Sequence, residues 1–287
     1  MLDFVRDAAA GCVLIAIIMA VSIAIEYISP IERISLRDRL PGFAMNMVQI
    51  PLMIVAAWPI YYVWNSLGIG RQATIPLSQW VAPLGAAGFA IQVLVLVAVA
   101  DFLAYWRHRV EHKVFWRVHM IHHAPTEVHA ANTLGHPLQM WYTIVFIGIP
   151  MAVIHIDGPA VPATVNFITV LLTYYIHSTA SVHFGPLRKI LVDNRFHRIH
   201  HSTETHHFDK NFGICFSIWD RMFGTAYDPV GNEWPKVGLA NVDPPRTIAD
   251  YLLMPFRLTD SERRHRSQAN AGLAATEIGS QQSPLAN

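Results

Sequence analysis

One stretch of the chain joins a long apolar run directly to two groups of histidines: WVAPLGAAGFAIQVLVLVAVADFLAYWRHRVEHKVFWRVHMIHH, residues 80–123. Its apolar part is long enough for a helix that crosses a bilayer, which needs about 20 residues. Similar apolar runs predict further membrane helices at residues 9–28, 42–64, 137–156 and 158–179. The last two are separated only by a short turn, so a re-entrant hairpin is the alternative for them. We therefore predict an all-α, polytopic membrane bundle of four or five transmembrane or re-entrant helices.

The composition supports this fold class and excludes several kinds of partner. The chain has 287 residues, of which 53% are hydrophobic and 14% charged, and its formal net charge is +1. A charge so close to zero provides no basic field for nucleic acid, which we exclude as a partner. The two cysteines, Cys12 and Cys215, are far apart in the sequence, so neither a disulfide framework nor a thiolate site is expected. Any metal must then be held by nitrogen or oxygen.

The distribution of basic residues predicts the orientation in the membrane. With five spans, the short segments on one side carry only Arg6 and Arg71, whereas those on the other carry basic clusters at 33–39 and 107–117. Because basic loops stay inside, the N-terminus is expected outside and the C-terminus in the cytoplasm. We predict an integral membrane protein, of the inner or plasma membrane if bacterial, with a histidine-rich helical cap on the cytoplasmic face.

The predicted membrane spans and the positions of the histidines divide the chain into three parts. Residues 1–94 are predicted to be N-terminal anchor helices, and residues 95–228 a histidine domain that includes two further membrane helices. Residues 229–287 are expected to be a cytoplasmic extension. From about residue 259 this extension lacks hydrophobic periodicity, which predicts disorder.

Three histidine groups share the spacing i, i+3 or i+4: His108 and His112; His119, His122 and His123; His197, His200 and His201. On a helix these separations place side chains on one face. The five imidazoles of the first two groups fall within a stripe about 100° wide. A straight helix would nevertheless separate His108 from His123 by about 22 Å, too far for a shared site. We therefore predict a break between His112 and His119.

Eight clustered imidazoles exceed the four ligands of a tetrahedral zinc site and indicate two ions. His177, at the end of a predicted span, is added as a ligand because an imidazole in a bilayer needs a partner. Further candidates, as ligands or as partners of ligands, are His183, His136, His206, His207, Glu111 and Asp209. Carboxylates that could orient imidazole N–H groups are Glu111, Asp193, Glu204 and Asp209. We predict no catalytic side chain beyond the metal ligands.

The motifs HRVEH (108–112), HMIHH (119–123) and HRIHH (197–201) resemble the three histidine boxes of the fatty acid hydroxylase and sterol desaturase superfamily. The following segments, HHFDKNFG (206–213) and IWDRMFGT (218–225), resemble alkylglycerol monooxygenase-like and bacterial sterol desaturase-like members. The resemblance implies two non-haem irons, O₂ as co-substrate, and hydroxylation or desaturation of a fatty acyl, sterol, hopanoid or ether lipid. Because no fused cytochrome b5-like segment is recognised, electrons are expected from a separate cytochrome b5-, ferredoxin- or reductase-type donor.

Two other functions remain open at this point. Residues 108–112 also read H-x-x-E-H, which is a metalloprotease arrangement, so a membrane zinc hydrolase with Glu111 as base is the main alternative. A non-enzymatic carrier of haem or metal is the other. The hydrolase would leave most of the histidines without a role, since one zinc takes three or four protein ligands.

Overall fold

The computed structural model describes residues 2–66, 73–133, 135–156, 161–240 and 242–257, and it is mostly helical. Two long helices, α1 and α2, precede the central helix α4, and short helices follow. The helices are α1 (Leu2–Ile28), α2 (Leu36–Ser66), α3 (Leu77–Val81), α4 (Ala86–Lys113), α5 (Trp116–His123), α6 (Gln139–Thr143), α7 (Ile149–Val153), α8 (Val161–Ile176), α9 (Asn194–His200), α10 (Ile218–Met222) and α11 (Ile248–Arg257). Short 3₁₀ turns lie at Ala82–Leu84, Ala130–Asn132, Gly185–Lys189 and Thr205–His207.

The predicted span at 137–156 is not one continuous α-helix. After α6 the chain widens into a π-helical turn at Ile144–Gly148, continues as α7, and ends in strand β2 (Ile154–Ile156). Pro150 lacks an N–H, so it cannot donate to the carbonyl four residues earlier, which favours the wider turn. Strand β2 pairs in parallel with β1 (Ala73–Ile75), a small sheet that the all-α prediction did not include.

Among the described residues, α4 alone is both long and apolar enough to cross a bilayer, with a mean hydropathy of 2.2 in its most apolar window. The other predicted spans coincide with α1, α2 and α8, and α2 is interrupted by Pro41, Pro51 and Pro59. At 16 residues, α8 is about 24 Å long, shorter than a bilayer core of about 30 Å. The turn predicted around Asp157 and the tail after 257 lie outside the described residues.

Helix α4 packs against α8, and this pair forms the centre of the fold. Val93, Leu96 and Val97 of α4 are buried together with Cys215, and Ile168 and other apolar residues of α8 pack against them. Helix α1 packs on the opposite side, where Ile18 and Met19 contact Ala130, Ala131 and Tyr174. Apolar faces of the long helices therefore meet around α8, the helix that leads to His177.

A buried carboxylate connects α1 to the segments around the histidines. Glu26 is 1% exposed and forms an ion pair with Arg39 at the start of α2. Its other oxygen accepts hydrogen bonds from the backbone N–H groups of Ala130 (3.0 Å) and Thr179 (2.8 Å). Because Thr179 lies two residues after His177, this carboxylate fixes the chain that follows α8.

The predicted C-terminal extension packs on the rest of the fold as far as it is described. Tyr251 of α11 is buried with Met45 of α2 and Ile121 of α5. Arg117 of α5 also donates to the carbonyl of Pro255. Helix α11 thus covers the outer side of the helix that carries the second histidine group.

Candidate metal centre

The chain turns sharply between the first and second histidine groups, as the spacing predicted. Helix α4 ends at Lys113, and α5 begins at Trp116 after a break at Val114 and Phe115. The two helices pack against each other, so the histidine faces of both helices point to the same interior space. Helix α9, which carries the third group, is capped by Asp193, whose side chain accepts from the backbone N–H of Phe196 (3.0 Å).

Five imidazoles form the first cluster, here called the five-histidine group, with ligand atoms within 4.8 Å of one another: His108, His112, His119, His123 and His200. The Nε2 atom of His119 lies 3.1 Å from that of His108 and 3.2 Å from that of His123. The Nε2 atoms of His112 and His123 are 3.2 Å apart. The side chain of His112, the least buried residue of the group, is only 2% exposed.

The second cluster, here called the four-histidine group, consists of His122, His177, His197 and His201. The Nε2 atom of His177 lies 3.2 Å from that of His122 and 3.1 Å from that of His197. The Nε2 atoms of His197 and His201 are 3.2 Å apart. The two groups together contain all nine histidines that the sequence predicted as ligands.

Hydrogen bonds at the far side of several rings determine which nitrogen faces the centre. The Nδ1 atoms of His108, His177 and His200 lie 2.7–2.9 Å from backbone carbonyl oxygens, those of Phe212, Thr173 and Lys210 respectively. A carbonyl only accepts, so each Nδ1 carries the proton and each Nε2 presents a lone pair to the cluster.

Lone pairs facing one another at 3.1–3.2 Å cannot hydrogen-bond, but they can share a cation. Two nitrogens bound to one ion at about 2.1 Å, with angles of about 90° to 110°, stand about 3.0 to 3.4 Å apart. The Nε2 separations in both groups fall within that interval. The residues present therefore fit two imidazole-bound metal ions, one in each group.

Electrostatics favours the neutral, metal-binding form of these side chains. Burial, and then the neighbouring imidazoles, lowers the pKa of His122, His123 and His197 well below the ordinary histidine value. His201 is shifted in the same direction for the same reasons. Lowering the pKa keeps the imidazoles uncharged at neutral pH, and only the uncharged ring can donate a lone pair to a metal.

Two carboxylates lie behind rings of the five-histidine group. Glu111 is fully buried, with Oε2 at 3.1 Å from Nδ1 of His119 and Oε1 at 3.7 Å from Nε of Arg107. Asp209 Oδ1 lies 3.3 Å from Nδ1 of His112, and this carboxylate is half exposed. Carboxylates in such positions orient a ligating imidazole and increase its basicity.

Replacing Glu111 with glutamine is expected to lower the affinity of the five-histidine group for its metal about 10- to 100-fold. The amide keeps the shape of the side chain but loses the charge that holds the proton on Nδ1 of His119. Metal retention during titration with a chelator measures the effect. Glu204→Gln, at an exposed carboxylate outside both groups, is the control, and an identical titration curve for both variants would contradict this role.

The loop that supplies two of the carbonyls has an unusual backbone. Asp209 and Asn211 have φ values of 57° and 59°, a left-handed conformation that these residue types tolerate better than most. Asn211 also donates to the carbonyls of Phe196 (2.8 Å) and Tyr227 (2.9 Å), which fixes the loop. The intervening Lys210 and the following Phe212 can then direct their carbonyls at His200 and His108.

Several predicted candidates lie outside both groups. His183 is exposed and accepts from the N–H of Gly185, and His136 contacts the carbonyl of Leu252 (3.1 Å). His206, which is exposed, and His207, which is buried, belong to a separate cluster with Glu204 and Glu233. Asp193 contacts no imidazole, because its carboxylate caps α9 and pairs with Arg188 at 2.8 Å. Glu204 lies 3.7 Å from His206 and not beside a ring of either group.

Two buried carboxylates were missed at the sequence level. Asp101, on α4, accepts from the backbone N–H groups of Cys215 (2.9 Å) and Phe216 (2.8 Å) and from the indole of Trp219 (3.0 Å). Asp220 accepts from the N–H groups of Phe212 and Gly213, both at 2.8 Å. Together they hold the loop that presents the Phe212 carbonyl to His108. A lone charge in the apolar run of α4 was the available signal for Asp101.

A cavity of about 130 Å³ lies against both groups. Five of the nine imidazoles form part of its wall: His108, His119, His122, His177 and His197. Residues of α2, α6 and α8 also line this cavity. A small molecule, or one end of a larger one, can therefore reach both candidate ions from this side.

Comparison with known proteins connects this arrangement to a family. The sequence profile "Fatty acid hydroxylase" matches residues 93–225, which include all nine histidines. Alkylglycerol monooxygenase from Xenopus tropicalis is 30% identical over 192 residues, 66% of this chain and 38% of the relative. Ornithine lipid hydroxylase OlsE from Rhizobium tropici is 30% identical over 155 residues, 52% of this chain and 46% of the relative.

The name of a third relative indicates a different reaction. The very-long-chain aldehyde decarbonylase GL1-6 of Oryza sativa subsp. japonica is 24% identical over 221 residues, 72% of this chain and 34% of the relative. This chain thus spans less than half the length of each of these three relatives. No solved protein structure gives a significant match. Residues 93–225, which carry the whole candidate metal centre, are thus similar to the fatty acid hydroxylase family.

Proposed function

We propose that the protein is an integral membrane oxygenase that holds two non-haem irons and uses O₂ to hydroxylate or desaturate a lipid. The observation that carries the proposal is the pair of histidine groups, whose Nε2 atoms converge at separations of 3.1–3.2 Å. The match of residues 93–225 to the fatty acid hydroxylase family supports oxygen-dependent chemistry. The names of two relatives, alkylglycerol monooxygenase and ornithine lipid hydroxylase, support a lipid as substrate.

The donor set favours iron over zinc. The five-histidine group exceeds the three or four protein ligands that one zinc takes, and the nine imidazoles together exceed the eight that two zinc ions could take. The buried position of Glu111, beside Nδ1 of His119 and Arg107, does not suit a hydrolytic base, which must reach a metal-bound water. The H-x-x-E-H segment is therefore better explained as two metal ligands with an orienting carboxylate than as a hydrolase motif.

When bound, two ferrous ions would supply the redox chemistry that activates O₂. Hydroxylation consumes O₂, two electrons and two protons, places one oxygen in a C–H bond and releases the other as water. The chain's own residues would hold the metals, exclude bulk water by burial, and keep protons on Nδ1 of His108, His177 and His200, which donate to backbone carbonyls. We propose a separate electron donor of the cytochrome b5, ferredoxin or reductase type.

The outer surfaces of the long helices support a membrane location. Val13, Ile17 and Val21 repeat along one face of α1 and are 49–60% exposed. Helix α4 exposes Leu94 to 56%, and the π-helical turn exposes Val145 to 53%. Apolar side chains repeated on outward faces fit contact with lipid better than contact with water. We propose four or five membrane-embedded helical segments, with the metal centre on the cytoplasmic face.

We propose that the chain is organised in the three parts predicted from its sequence. Residues 1–94 anchor the protein and residues 95–228 form the oxygenase domain. In the C-terminal part from residue 229, α11 supports α5 through Tyr251. The nine histidines act as metal ligands, with no other catalytic side chain proposed.

Metal analysis and oxygen uptake test the proposal on the full-length protein in lipid nanodiscs. We expect about two irons per chain, no haem absorption band, and O₂ consumption only with reductant, iron and lipid. Comparative lipidomics of cells with and without the protein should reveal a lipid that differs by one oxygen or by two hydrogens. Product formation by fully metal-free protein, or one zinc per chain with hydrolysis in the absence of O₂, would refute it.

A further inference from the structure

Polar groups without hydrogen-bond partners line the cavity beside the metal centre. Gln49 of α2 is 3% exposed, and its Oε1 atom is fully buried without a hydrogen-bond partner among the described residues. Thr133, which lines the same cavity, is 4% exposed. The Tyr174 hydroxyl donates to Asn46 at 2.8 Å and is also the hydrogen-bonding neighbour of the Thr133 hydroxyl. Buried polar atoms normally have partners, so the Gln49 oxygen calls for an explanation.

A neighbouring amide on the same helix face is fully bonded. Asn46, three residues before Gln49, donates to the carbonyls of Gly42 (2.9 Å) and Ala131 (2.8 Å) and accepts from Tyr174. Loose packing of α2 therefore does not explain the free amide oxygen of Gln49. What distinguishes Gln49 is that it lines the same cavity as five of the imidazoles.

The cavity also offers a donor. Arg107 donates through Nη1 to Thr143, while its Nε is buried without a hydrogen bond and lies 3.7 Å from Oε1 of Glu111. An acceptor at Gln49 and a donor at Arg107 thus share one space with the metal-facing histidines. A volume of about 130 Å³ holds only a few heavy atoms, so most of a lipid would lie outside it.

We propose that Gln49 recognises a hydrogen-bond-donating group of the substrate, a hydroxyl or amide N–H, and that Thr133 and Arg107 contact the adjoining oxygen. This inference rests on the proposed lipid oxygenase function. A purely apolar chain end would leave the Gln49 oxygen buried without a hydrogen bond, which is costly. The lipid therefore enters with its headgroup or linkage region, and the oxidised carbon lies a few bonds from that polar group. Gln49 lies in α2, outside the segment that matches the family profile.

Binding of two probes that differ only in the donor tests the proposal. The probes are 1-O-hexadecylglycerol and its di-O-methyl ether, added to iron-loaded protein in nanodiscs without O₂ or reductant. The wild type should bind the free diol about tenfold more tightly or better, since a site built for a hydroxyl rejects analogues that lack it. Gln49→Met, which keeps the side-chain length, should abolish this preference and leave binding of the ether unchanged.

Two further variants keep the result interpretable. Gln92→Met replaces a buried glutamine of α4 that is not part of this cavity wall and should retain the preference and iron content of the wild type. Thr133→Val should reduce the preference in the same direction as Gln49→Met. Equal binding of both probes by the wild type, or a preference that survives in Gln49→Met, would overturn the inference. If the protein prefers the free diol but consumes no O₂ when reductant is present, the oxygenase function is refuted, while the binding role of Gln49 is not.

Discussion

Replacing His197 with alanine is expected to reduce iron from about two to about one per chain and lipid oxidation to background. The Nε2 atom of His197 lies 3.1 Å from that of His177 and 3.2 Å from that of His201, so its removal leaves the four-histidine group with three donors. The five-histidine group shares no ligand with it and should keep its ion. Iron analysis measures the number of irons per chain, and product formation measures lipid oxidation; both are made on the same preparation.

The matched control is His183→Ala, which removes an exposed imidazole that belongs to neither group. This variant should retain the iron content and turnover of the wild type. Two irons and normal turnover in His197→Ala would show that the four-histidine group is not a metal site. Loss of both irons would instead show that the two ions are held cooperatively.

Asp101→Ala is expected to lower the free energy of unfolding by about 3 kcal/mol, because it removes the acceptor of one buried and two partly buried hydrogen bonds, and an unpaired buried donor costs about 1–3 kcal/mol. Those donors are the N–H groups of Cys215 and Phe216 and the indole of Trp219. The loop before Cys215 carries the carbonyl that holds His108, so metal retention should also fall. Thermal unfolding in micelles and iron analysis measure the two effects.

Asp228→Ala provides the comparison for this variant. Asp228 pairs with Arg221 at 2.7 Å, but its side chain is 52% exposed. Exposed ion pairs contribute about 0–1 kcal/mol, so the midpoint of unfolding should move little. Equal destabilisation by the two substitutions would mean that the hydrogen bonds of Asp101 do not hold the loop.

The histidine spacing predicted eight of the nine converging imidazoles, and His177 was added because it ends a predicted span. A stripe of five rings on one helical face, too long for a single straight helix, also predicted a break between His112 and His119, which the structure has at Val114 and Phe115. Both inferences depend on local geometry, which follows directly from helical periodicity. His206 and His207 continue the dense histidine pattern, but they belong to a separate cluster with Glu204 and Glu233, because a 3₁₀ turn replaces the helix after His201.

The partners of the rings were harder to predict. The carbonyls of Lys210 and Phe212 meet His200 and His108 only because a loop far along the chain packs against α4 and α9. Every residue has a carbonyl, so the sequence carries no local signal for such contacts. The segment at 137–156 was predicted as one membrane helix, but the structure divides it. The prediction used hydrophobicity, which does not reveal the effect of Pro150 on helix geometry.

The order of the ligands along the chain has a consequence for biogenesis. Four of the five donors of one group come from α4 and α5, whereas three of the four donors of the other come after α8. During synthesis the first pocket is nearly complete before the later residues leave the ribosome. Iron loading is therefore expected to be sequential, and the second ion can be captured only after α9 has docked.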